Sequence, residues 1–257
     1  MVLNIQNISK NFGGISALTD VSFSIKEGEI YGLIGPNGAG KTTMFNMITN
    51  MFPPTSGEIT FLDEQITGLK PYKITNKGIC RTFQNIRLFS QMTAMENVLV
   101  GGHSRSKSGV FSGVFGTKSQ RTEEEKLRVK ARELLELVGL SEYDETISEN
   151  LAYGQQRRLE IARALASDPK LLLLDEPAAG MNESETDELF FLIKKVQERG
   201  ITTLLIEHDM PLVMKLCDKM TVLNFGRKLA EGTPEEIQNN QMVIEAYLGS
   251  EGDEEIA

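Results

Sequence analysis

The chain is organised around one glycine-rich segment, Gly35-Pro36-Asn37-Gly38-Ala39-Gly40-Lys41-Thr42-Thr43. The apolar run 30–34 before it is typical of a buried strand, and residues 44–50 after it predict a helix with one apolar side. Between a strand and a helix, the pattern G-x-x-x-x-G-K-[ST] indicates a phosphate-binding loop. The alternative is an ordinary glycine-rich turn with a solvated lysine, and the full pattern in this context argues against it.

The residue types in this loop suit a nucleotide and a metal ion. The glycines allow a tight turn whose N–H groups point inward, and a helix that begins near Lys41 adds the positive end of its dipole. Lys41 can reach the outer phosphates, and the Thr42 hydroxyl can ligate Mg²⁺. We therefore expect nucleotide contacts from Gly35, Asn37, Gly38, Ala39, Gly40, Lys41, Thr42 and Thr43.

Composition is that of an ordinary globular protein. The 257 residues are 25% charged and 40% hydrophobic, which allows one large α/β domain or a domain with an insertion. A net charge of −9 argues against nucleic acid as a partner, because phosphate backbones attract basic surfaces. Some of the acid lies at 251–257, which we predict to be a disordered tail.

No segment predicts direct insertion into a membrane. Residues 1–6 lack the features of a signal peptide, and no apolar run approaches the ~20 residues of a spanning helix. Cys80 and Cys217 show no metal-ligand spacing and are expected to be buried free thiols in a reducing compartment. The expectation is a cytoplasmic protein, unless a partner holds it at a membrane.

Apolar and polar residues alternate through residues 1–34, which predicts antiparallel strands. Phe12 lies in the turn 11–14 that would join two of them. A ring at such a turn could stack on a base. The alternative is a ring packed against the sheet.

A pair of acids follows the apolar run 171–174, which is typical of a strand buried on both faces. The carboxyl end of such a strand is where α/β sheets bind ligands. Asp175 is placed to hold Mg²⁺ and Glu176 to polarise an attacking water. Without the phosphate loop, the pair would be read as an acidic turn.

Two further polar side chains stand at predicted strand ends. Gln84 follows a strand at 78–83, and its amide can meet a metal ion or a water. His208 follows a strand at 201–206 and can donate to a terminal phosphate, although a surface histidine would fit the same pattern.

Residues 85–150 interrupt the alternation of predicted strands and helices. Helices are predicted at 93–100 and 123–138, with a Gly- and Ser-rich connection at 101–119 that is long for an ordinary loop. We interpret 85–150 as a helical insertion in an α/β core formed by 1–84 and 151–250.

The rest of the sequence alternates strands and helices. Helices are predicted from 151 to about 166 and from 183 to 199, and a hairpin at 222–230. A last helix is capped by Thr233 and closes near 247–249.

Taken together, these motifs resemble the ATP-binding subunit of an ABC transporter over essentially the whole chain. The matching features are, in order, Phe12, the Walker A loop at 35–42, Gln84, a signature segment at Leu151–Gln155, the Walker B strand at 171–175 with Glu176, and His208. The resemblance implies a P-loop NTPase core with a mixed, mainly parallel central sheet, an antiparallel β subdomain and an inserted α-helical subdomain.

The resemblance also implies roles for single residues. It assigns adenine stacking to Phe12, metal and lid contacts to Gln84, the general base to Glu176 and γ-phosphate sensing to His208. The implied catalytic set is Lys41, Gln84, Glu176 and His208, and the implied Mg²⁺ ligands are Thr42, Gln84 and Asp175.

An ATP-binding subunit of this kind implies protein partners. Two such subunits would sandwich ATP, with Ala152, Gly154 and Gln155 of each signature facing the Walker A loop of the other. Transmembrane permease subunits would hold the pair at the cytoplasmic face of the inner membrane.

Several segments are similar to the ATPase subunits of branched-chain amino acid importers: Arg81–Gln84, Leu151–Gly154, Asp175–Gly180, Ile206–Asp209 and the loop around 110–116. Subunits for urea uptake and, more distantly, lipopolysaccharide export are similar too, and both remain alternatives. A repair or translation ABC ATPase would have tandem cassettes, coiled-coil arms or a basic surface. A small-molecule kinase would need an acceptor-binding lid.

Three positions depart from the family pattern. Ala152 and Tyr153 stand where the signature Leu-Ser-Gly-Gly-Gln has its serine and first glycine, and Asn182 replaces an aspartate after Walker B. Because Ala152 has no hydroxyl for the γ-phosphate, we favour a heterodimer over a homodimer.

Overall fold

Two β-sheets organise the part of the chain that the computed structural model describes, residues 1–103 and 118–254. The strands are β1 (Leu3–Phe12), β2 (Ile15–Ile25), β3 (Ile30–Ile34), β4 (Ser56–Phe61), β5 (Glu64–Gln65), β6 (Ile79–Arg81), β7 (Leu171–Asp175), β8 (Thr202–Ile206), β9 (Lys219–Asn224) and β10 (Arg227–Gly232). The helices are α1 (Lys41–Ile48), α2 (Pro71–Lys77), α3 (Ala94–His103), α4 (Lys118–Leu137), α5 (Tyr153–Leu165), α6 (Glu183–Glu198), α7 (Met210–Leu216), α8 (Pro234–Gln238) and α9 (Gln241–Glu254).

The central sheet has six strands in the order β10-β9-β3-β8-β7-β6. All of its pairings are parallel except that of β10 with β9. Every residue of β3, β7 and β8 is buried, as expected for strands covered on both faces. The predicted mixed, mainly parallel sheet is confirmed.

The second sheet is antiparallel, in the order β2-β1-β4-β5. Its buried side chains, such as Ile5, Phe23 and Phe61, share one apolar cluster with Phe45 of α1. The antiparallel strands predicted from the alternation are therefore confirmed for β1 and β2, whereas β3, which also lies within residues 1–34, pairs in parallel in the central sheet. Phe12 ends β1 and pairs with Ile15, so the turn itself is formed by residues 13 and 14.

A helical layer of α3, α4 and α5 packs beside the central sheet. α3 is longer than the sequence predicted and continues through Gly101 to His103. A Cβ at Gly101 would lie only 2.1 Å from the carbonyl oxygen of Arg163, so glycine permits the close approach of α3 to α5. Residues 104–117, which include the loop around 110–116, lie outside the described residues.

The sequence predicts a single last helix after Thr233. This prediction is wrong, because the chain forms two helices there, α8 and α9. Thr233 caps α8 as predicted, with its hydroxyl accepting from the N–H of Glu236 at 3.3 Å. The side chain of Asn240 then accepts from the N–H of Met242 at 3.0 Å, and asparagine at such a position favours a new helix start.

The helix α9 runs to Glu254, into the segment predicted as a disordered tail, and 255–257 lie outside the described residues. A helix that is already nucleated gains one hydrogen bond for each residue it adds, which offsets the ordering of an acidic end. Within the described residues, none of the helices is long and apolar enough to cross a membrane. Cys80 and Cys217 are buried and are not joined in a disulfide, as predicted.

Candidate active site

The parallel strands bring four chain segments to one edge of the central sheet. β3, β8, β7 and β6 are neighbours in that order, and the carboxyl ends of parallel strands share an edge. The glycine-rich loop follows β3, His208 follows β8, Glu176 follows β7 and Gln84 follows β6. Residues far apart in the sequence therefore meet at this edge.

The glycine-rich loop encloses its own lysine. Lys41 Nζ donates to the carbonyl oxygens of Gly35 at 2.6 Å and of Pro36 at 3.0 Å. Burial lowers the pKa of Lys41, while the carboxylates of Glu176 and Asp175 oppose that shift. A phosphate in the loop would supply the ammonium with stronger acceptors than these carbonyls.

A cavity of about 450 Å³ lies above the loop. Its volume is within the range of small-molecule sites, about 300–1,000 Å³. It is lined by Asn37, Gly38, Ala39, Gly40, Lys41, Thr42 and Thr43 together with Glu176, His208, residues 15–17 and residues 225–226. Most of the predicted nucleotide contacts therefore lie around one space.

Glu176 is held by two of the predicted catalytic side chains. Gln84 Nε2 donates to one carboxylate oxygen at 2.8 Å, and His208 Nε2 lies 2.8 Å from the other. The φ of Glu176 is 47°, in the left-handed region that residues other than glycine rarely adopt. Such backbone strain clusters at active sites, because the surroundings must hold the residue in place. The fold thus fixes a carboxylate beside the phosphate loop.

The predicted metal ligand Asp175 forms a buried ion pair. Arg81 Nη2 lies 2.6 Å from Asp175 Oδ2, and Arg81 Nη1 donates to the side chain of Asn46 at 2.7 Å. Arg81 thereby neutralises and orients the carboxylate. Sequence reasoning missed Arg81, although a charged residue in a short buried strand is a signal for such a partner.

The oxygen ligands available here fit Mg²⁺ bound through a nucleotide. Among the described residues, no group of three or more His, Cys, Asp or Glu side chains could hold a metal ion. Mg²⁺ does not need such a group, since it is usually bound by one or two carboxylates, water and substrate phosphates. Thr42, Gln84 and Asp175 supply hard oxygen atoms of that kind.

Phe12 is not among the residues that line the cavity. Its ring is 46% exposed and meets Phe52 edge-on at a centroid distance of 5.2 Å. Lys10 Nζ lies 5.0 Å from the centroid of the Phe12 ring. The hairpin that Phe12 helps to close does reach the cavity, through residues 15–17.

The signature segment is also absent from the lining of the cavity. α5 begins at Tyr153, and the side chain of Gln155 accepts from the N–H of Ala152 at 2.9 Å. In a complete capping box, the side chain of residue 152 would also accept from the N–H of Gln155. This bond is missing, because alanine has no side-chain oxygen. Ala152 and Tyr153 are exposed. The structure therefore does not bring this segment to the phosphate loop of the same chain.

Glu207 was missed as a structural element of the site. Its buried carboxylate accepts from the N–H of Ala178 at 2.6 Å and from that of His208 at 2.9 Å. Burial raises the pKa of Glu207, and these N–H groups oppose the shift. Glu207 thus ties the loop after β7 to the one after β8. Its position between an apolar strand and His208 was the available signal.

Tyr247 connects the last helix to the phosphate loop. Its hydroxyl is hydrogen-bonded to the backbone of Gly35, and burial raises the pKa of Tyr247 to about 12. No pattern in the sequence places residue 247 beside residue 35, since the contact depends on how α9 returns to the sheet.

Comparison with known proteins identifies the family. The family model described as ABC transporter matches residues 18–179, which include the phosphate loop and Glu176. The chain belongs to the ABC transporter family. A second model, described as branched-chain amino acid ATP-binding cassette transporter, matches residues 227–253. The family assignment confirms the ATP-hydrolysing activity inferred from the motifs. ATP-binding cassettes of this family dimerise and work with transmembrane permease subunits.

Curated relatives match over nearly the full length. The chain is 48% identical over 249 residues to the high-affinity branched-chain amino acid transport ATP-binding protein BraF of Pseudomonas aeruginosa. The matched region covers 96% of this ABC protein and 98% of the relative. It is 49% identical to LivG of Salmonella typhimurium and 48% identical to LivG of Escherichia coli K12, with the same coverage.

Solved structures share the fold. A nucleotide-free ATP-binding cassette from an ABC transporter matches with a TM-score of 0.83 and 34% identity, covering 96% of this chain and 98% of that one. A dimeric cassette in a post-hydrolysis state with ADP and phosphate matches with a TM-score of 0.75 and 28% identity, covering 90% and 98%. The P-loop NTPase fold of this ABC subunit is therefore confirmed.

The first prediction concerns the glycines of the loop. Gly35→Ala is expected to destabilise the protein more than Gly38→Ala, because a Cβ at Gly35 would lie 2.0 Å from the carbonyl oxygen of Leu223. At Gly38 no atom lies within 4 Å, so only the left-handed conformation is penalised, by roughly 1–2 kcal/mol. Urea unfolding of both variants measures the difference, and equal losses would contradict this account of the loop.

Proposed function

We propose that this chain is the ATP-hydrolysing subunit of an importer for branched-chain amino acids, held at the cytoplasmic face of the inner membrane by permease subunits. The observation that carries the proposal is the fixation of the Glu176 carboxylate between Gln84 and His208, at the edge of the phosphate cavity. The substrate is proposed from relatives of 48–49% identity that are named as branched-chain amino acid transport proteins.

The proposed chemistry is attack of water on the γ-phosphorus, with cleavage of its bond to the bridging oxygen and departure of ADP. Glu176 would take the proton of the water, since both of its oxygens are oriented beside the loop. His208, next to Glu176, would donate to the γ-phosphate. Lys41 and the loop N–H groups would bind the phosphates.

The metal would be held by Thr42, Asp175 and Gln84. Mg²⁺ supplies charge neutralisation on the phosphates when it is bound. Arg81 keeps the Asp175 carboxylate oriented, and Gln84 binds Glu176 through its amide nitrogen, which leaves the amide oxygen for the metal. Phe12 would stack on the adenine where the hairpin borders the cavity.

The site in one chain would be completed by a second ATP-binding subunit. Ala152, Gly154 and Gln155 belong to a segment that does not line the cavity of its own chain, so we infer that they face the phosphate loop of the partner. Because Ala152 offers no hydroxyl, we favour a partner chain whose signature contains serine. The dimer would then have one stronger and one weaker site.

A groove of about 510 Å³ between the core and the helical insertion at 85–150 is the proposed docking site for a permease subunit. Its lining combines apolar side chains, such as Ile74 and the 47% exposed Phe89, with the cationic Arg87 and Arg163. This combination suits an amphipathic helix that carries an acidic residue. Gln84 directly precedes the insertion, so docking and hydrolysis would affect adjacent residues of the chain.

Glu176→Gln is expected to retain ATP binding and to lose turnover. The amide keeps the shape of the carboxylate but cannot accept the proton, so kcat should fall by roughly 10²–10⁴-fold while the ATP Kd stays unchanged. Together with a partner subunit whose signature contains serine, the variant should accumulate as a nucleotide-bound dimer. Phosphate release and size-exclusion chromatography measure these effects, with Glu183→Gln at an exposed position as the control. Normal turnover would remove Glu176 from the mechanism.

Arg87→Glu is expected to uncouple transport from hydrolysis. Repulsion from an acidic permease residue should lower ATP-driven leucine uptake by at least about tenfold in proteoliposomes that contain the permease subunits. ATPase activity of the subunit alone should survive, because the Arg87 side chain is exposed and does not line the phosphate cavity.

Lys126→Glu is the matched control, since Lys126 is exposed on α4 and does not line this groove. Unchanged leucine uptake in Arg87→Glu would contradict the docking site. Uptake of urea instead of leucine by the wild-type assembly would contradict the proposed substrate.

Ala152→Ser is expected to strengthen ATP-driven dimerisation. A hydrogen bond to a charged phosphate contributes roughly 1.5–3 kcal/mol, so the dimer of the serine variant should be about 10–100-fold tighter. Sedimentation in ATP and Mg²⁺, in the Glu176→Gln background, measures this. A tight homodimer of the unsubstituted signature, with no gain from serine, would contradict the asymmetric arrangement.

A further inference from the structure

Arg157 is fully buried on α5, about one turn after that helix begins at Tyr153. Its two terminal nitrogens donate to adjacent backbone carbonyls: Nη1 to that of Phe83 and Nη2 to that of Gln84, both at 2.6 Å. A planar guanidinium can make two such parallel bonds, and no other side chain can replace it. The signature helix is therefore bonded directly to the backbone that carries Gln84.

Glu160, on the same helix, completes this attachment. One of its oxygens lies 3.2 Å from Arg157, and the other accepts from the N–H of Arg87 at 3.1 Å. Arg157 and Glu160 thus hold the segment from Phe83 to Arg87 at both ends. Taking two charges out of water is costly, and such a pair is often no more stabilising than apolar side chains. A contribution to the stability of the fold therefore does not explain why Arg157 and Glu160 are buried together.

The same arginine is linked to the start of the signature. The Tyr153 hydroxyl lies 3.3 Å from Arg157 Nη2. The Tyr153 ring also packs on Gly180 of the loop after β7, where a Cβ would come within 3.2 Å of the ring. Tyr153, which departs from the family pattern, therefore contacts both Arg157 and the loop that follows Glu176.

We propose that Arg157 is a positioning residue for hydrolysis: it fixes the backbone of Gln84 to the signature helix so that the Gln84 amide can hold Glu176. The inference rests on the roles proposed above for Gln84 and Glu176. The exposed start of α5 is the part that would face a second subunit, and Arg157 connects it to the catalytic carboxylate of its own chain through two carbonyl bonds and one amide.

Arg157→Lys tests the inference. Lysine keeps the charge but cannot bond both carbonyls in one plane. Misplacement of Gln84 should lower kcat by about tenfold while the KM for ATP stays within about twofold, because Arg157 does not line the nucleotide cavity. Arg158→Lys is the control, since Arg158 bonds the carbonyl of Val138 and should keep kcat within about twofold.

A double-mutant cycle separates positioning from general damage. If Arg157 acts through Gln84, then Gln84→Ala and the double variant should have the same kcat within about twofold. Losses that multiply, or an unchanged kcat in Arg157→Lys, would overturn the inference. If Arg157→Lys does not fold, Glu160→Gln takes its place in the cycle with the same expected and contradicting results.

Different results would contradict the proposed roles of Gln84 and Glu176 and the positioning role of Arg157. Full turnover in Gln84→Ala would overturn the positioning role together with the proposed role of Gln84. Turnover in Glu176→Gln would overturn the proposed base. A loss of kcat in Gln84→Ala that multiplies with the loss in Arg157→Lys would overturn the positioning role alone.

Discussion

The geometry of the candidate active site depends on the parallel register of the central sheet. β7 pairs with β8 so that Asp175 lies opposite Ile206, and β8 pairs in turn with β3, which leads into the phosphate loop. A slip of one residue would turn each side chain to the opposite face. Glu176 would then lose His208, which follows the neighbouring strand. Close packing on both faces of these strands opposes such a slip, because displaced side chains would leave voids or clashes.

Charges buried beneath this edge hold the loops in place. Arg81 pairs with Asp175, the Glu207 carboxylate accepts two loop N–H groups, and Lys41 donates to two loop carbonyls. Each charge is buried at a cost that its hydrogen bonds must offset. The bonds of Glu207 and Lys41 reach backbone groups of the loops that carry candidate catalytic residues, and Arg81 reaches Asp175 at the end of β7. Arg157 is another buried charge of this kind, since it donates to the backbone carbonyls of Phe83 and Gln84.

In our proposal, a second ATP-binding subunit completes the candidate site. The phosphate loop and Glu176 line the cavity, whereas the signature segment does not line it and exposes Ala152 and Tyr153. A cassette of the same fold is known as a dimer with ADP and phosphate. In our proposal, the dimer is weaker where the signature has Ala152 than where a partner has serine at this position, because only serine offers a hydroxyl to the γ-phosphate. The buried bonds of Arg157 would carry the effect of dimer closure to Gln84.

Local patterns identified the phosphate loop, the buried strand before Asp175 and the cap at Thr233, because each depends on residues that are close in the sequence. The mixed, mainly parallel sheet and the family also followed from these motifs. The ion pair of Arg81 with Asp175 and the bonds of Arg157 did not, because they join residues that only the strand order and helix packing bring together. The length of α3 was missed for the same reason: Gly101 weakens a helix locally, yet here it lets α3 approach α5.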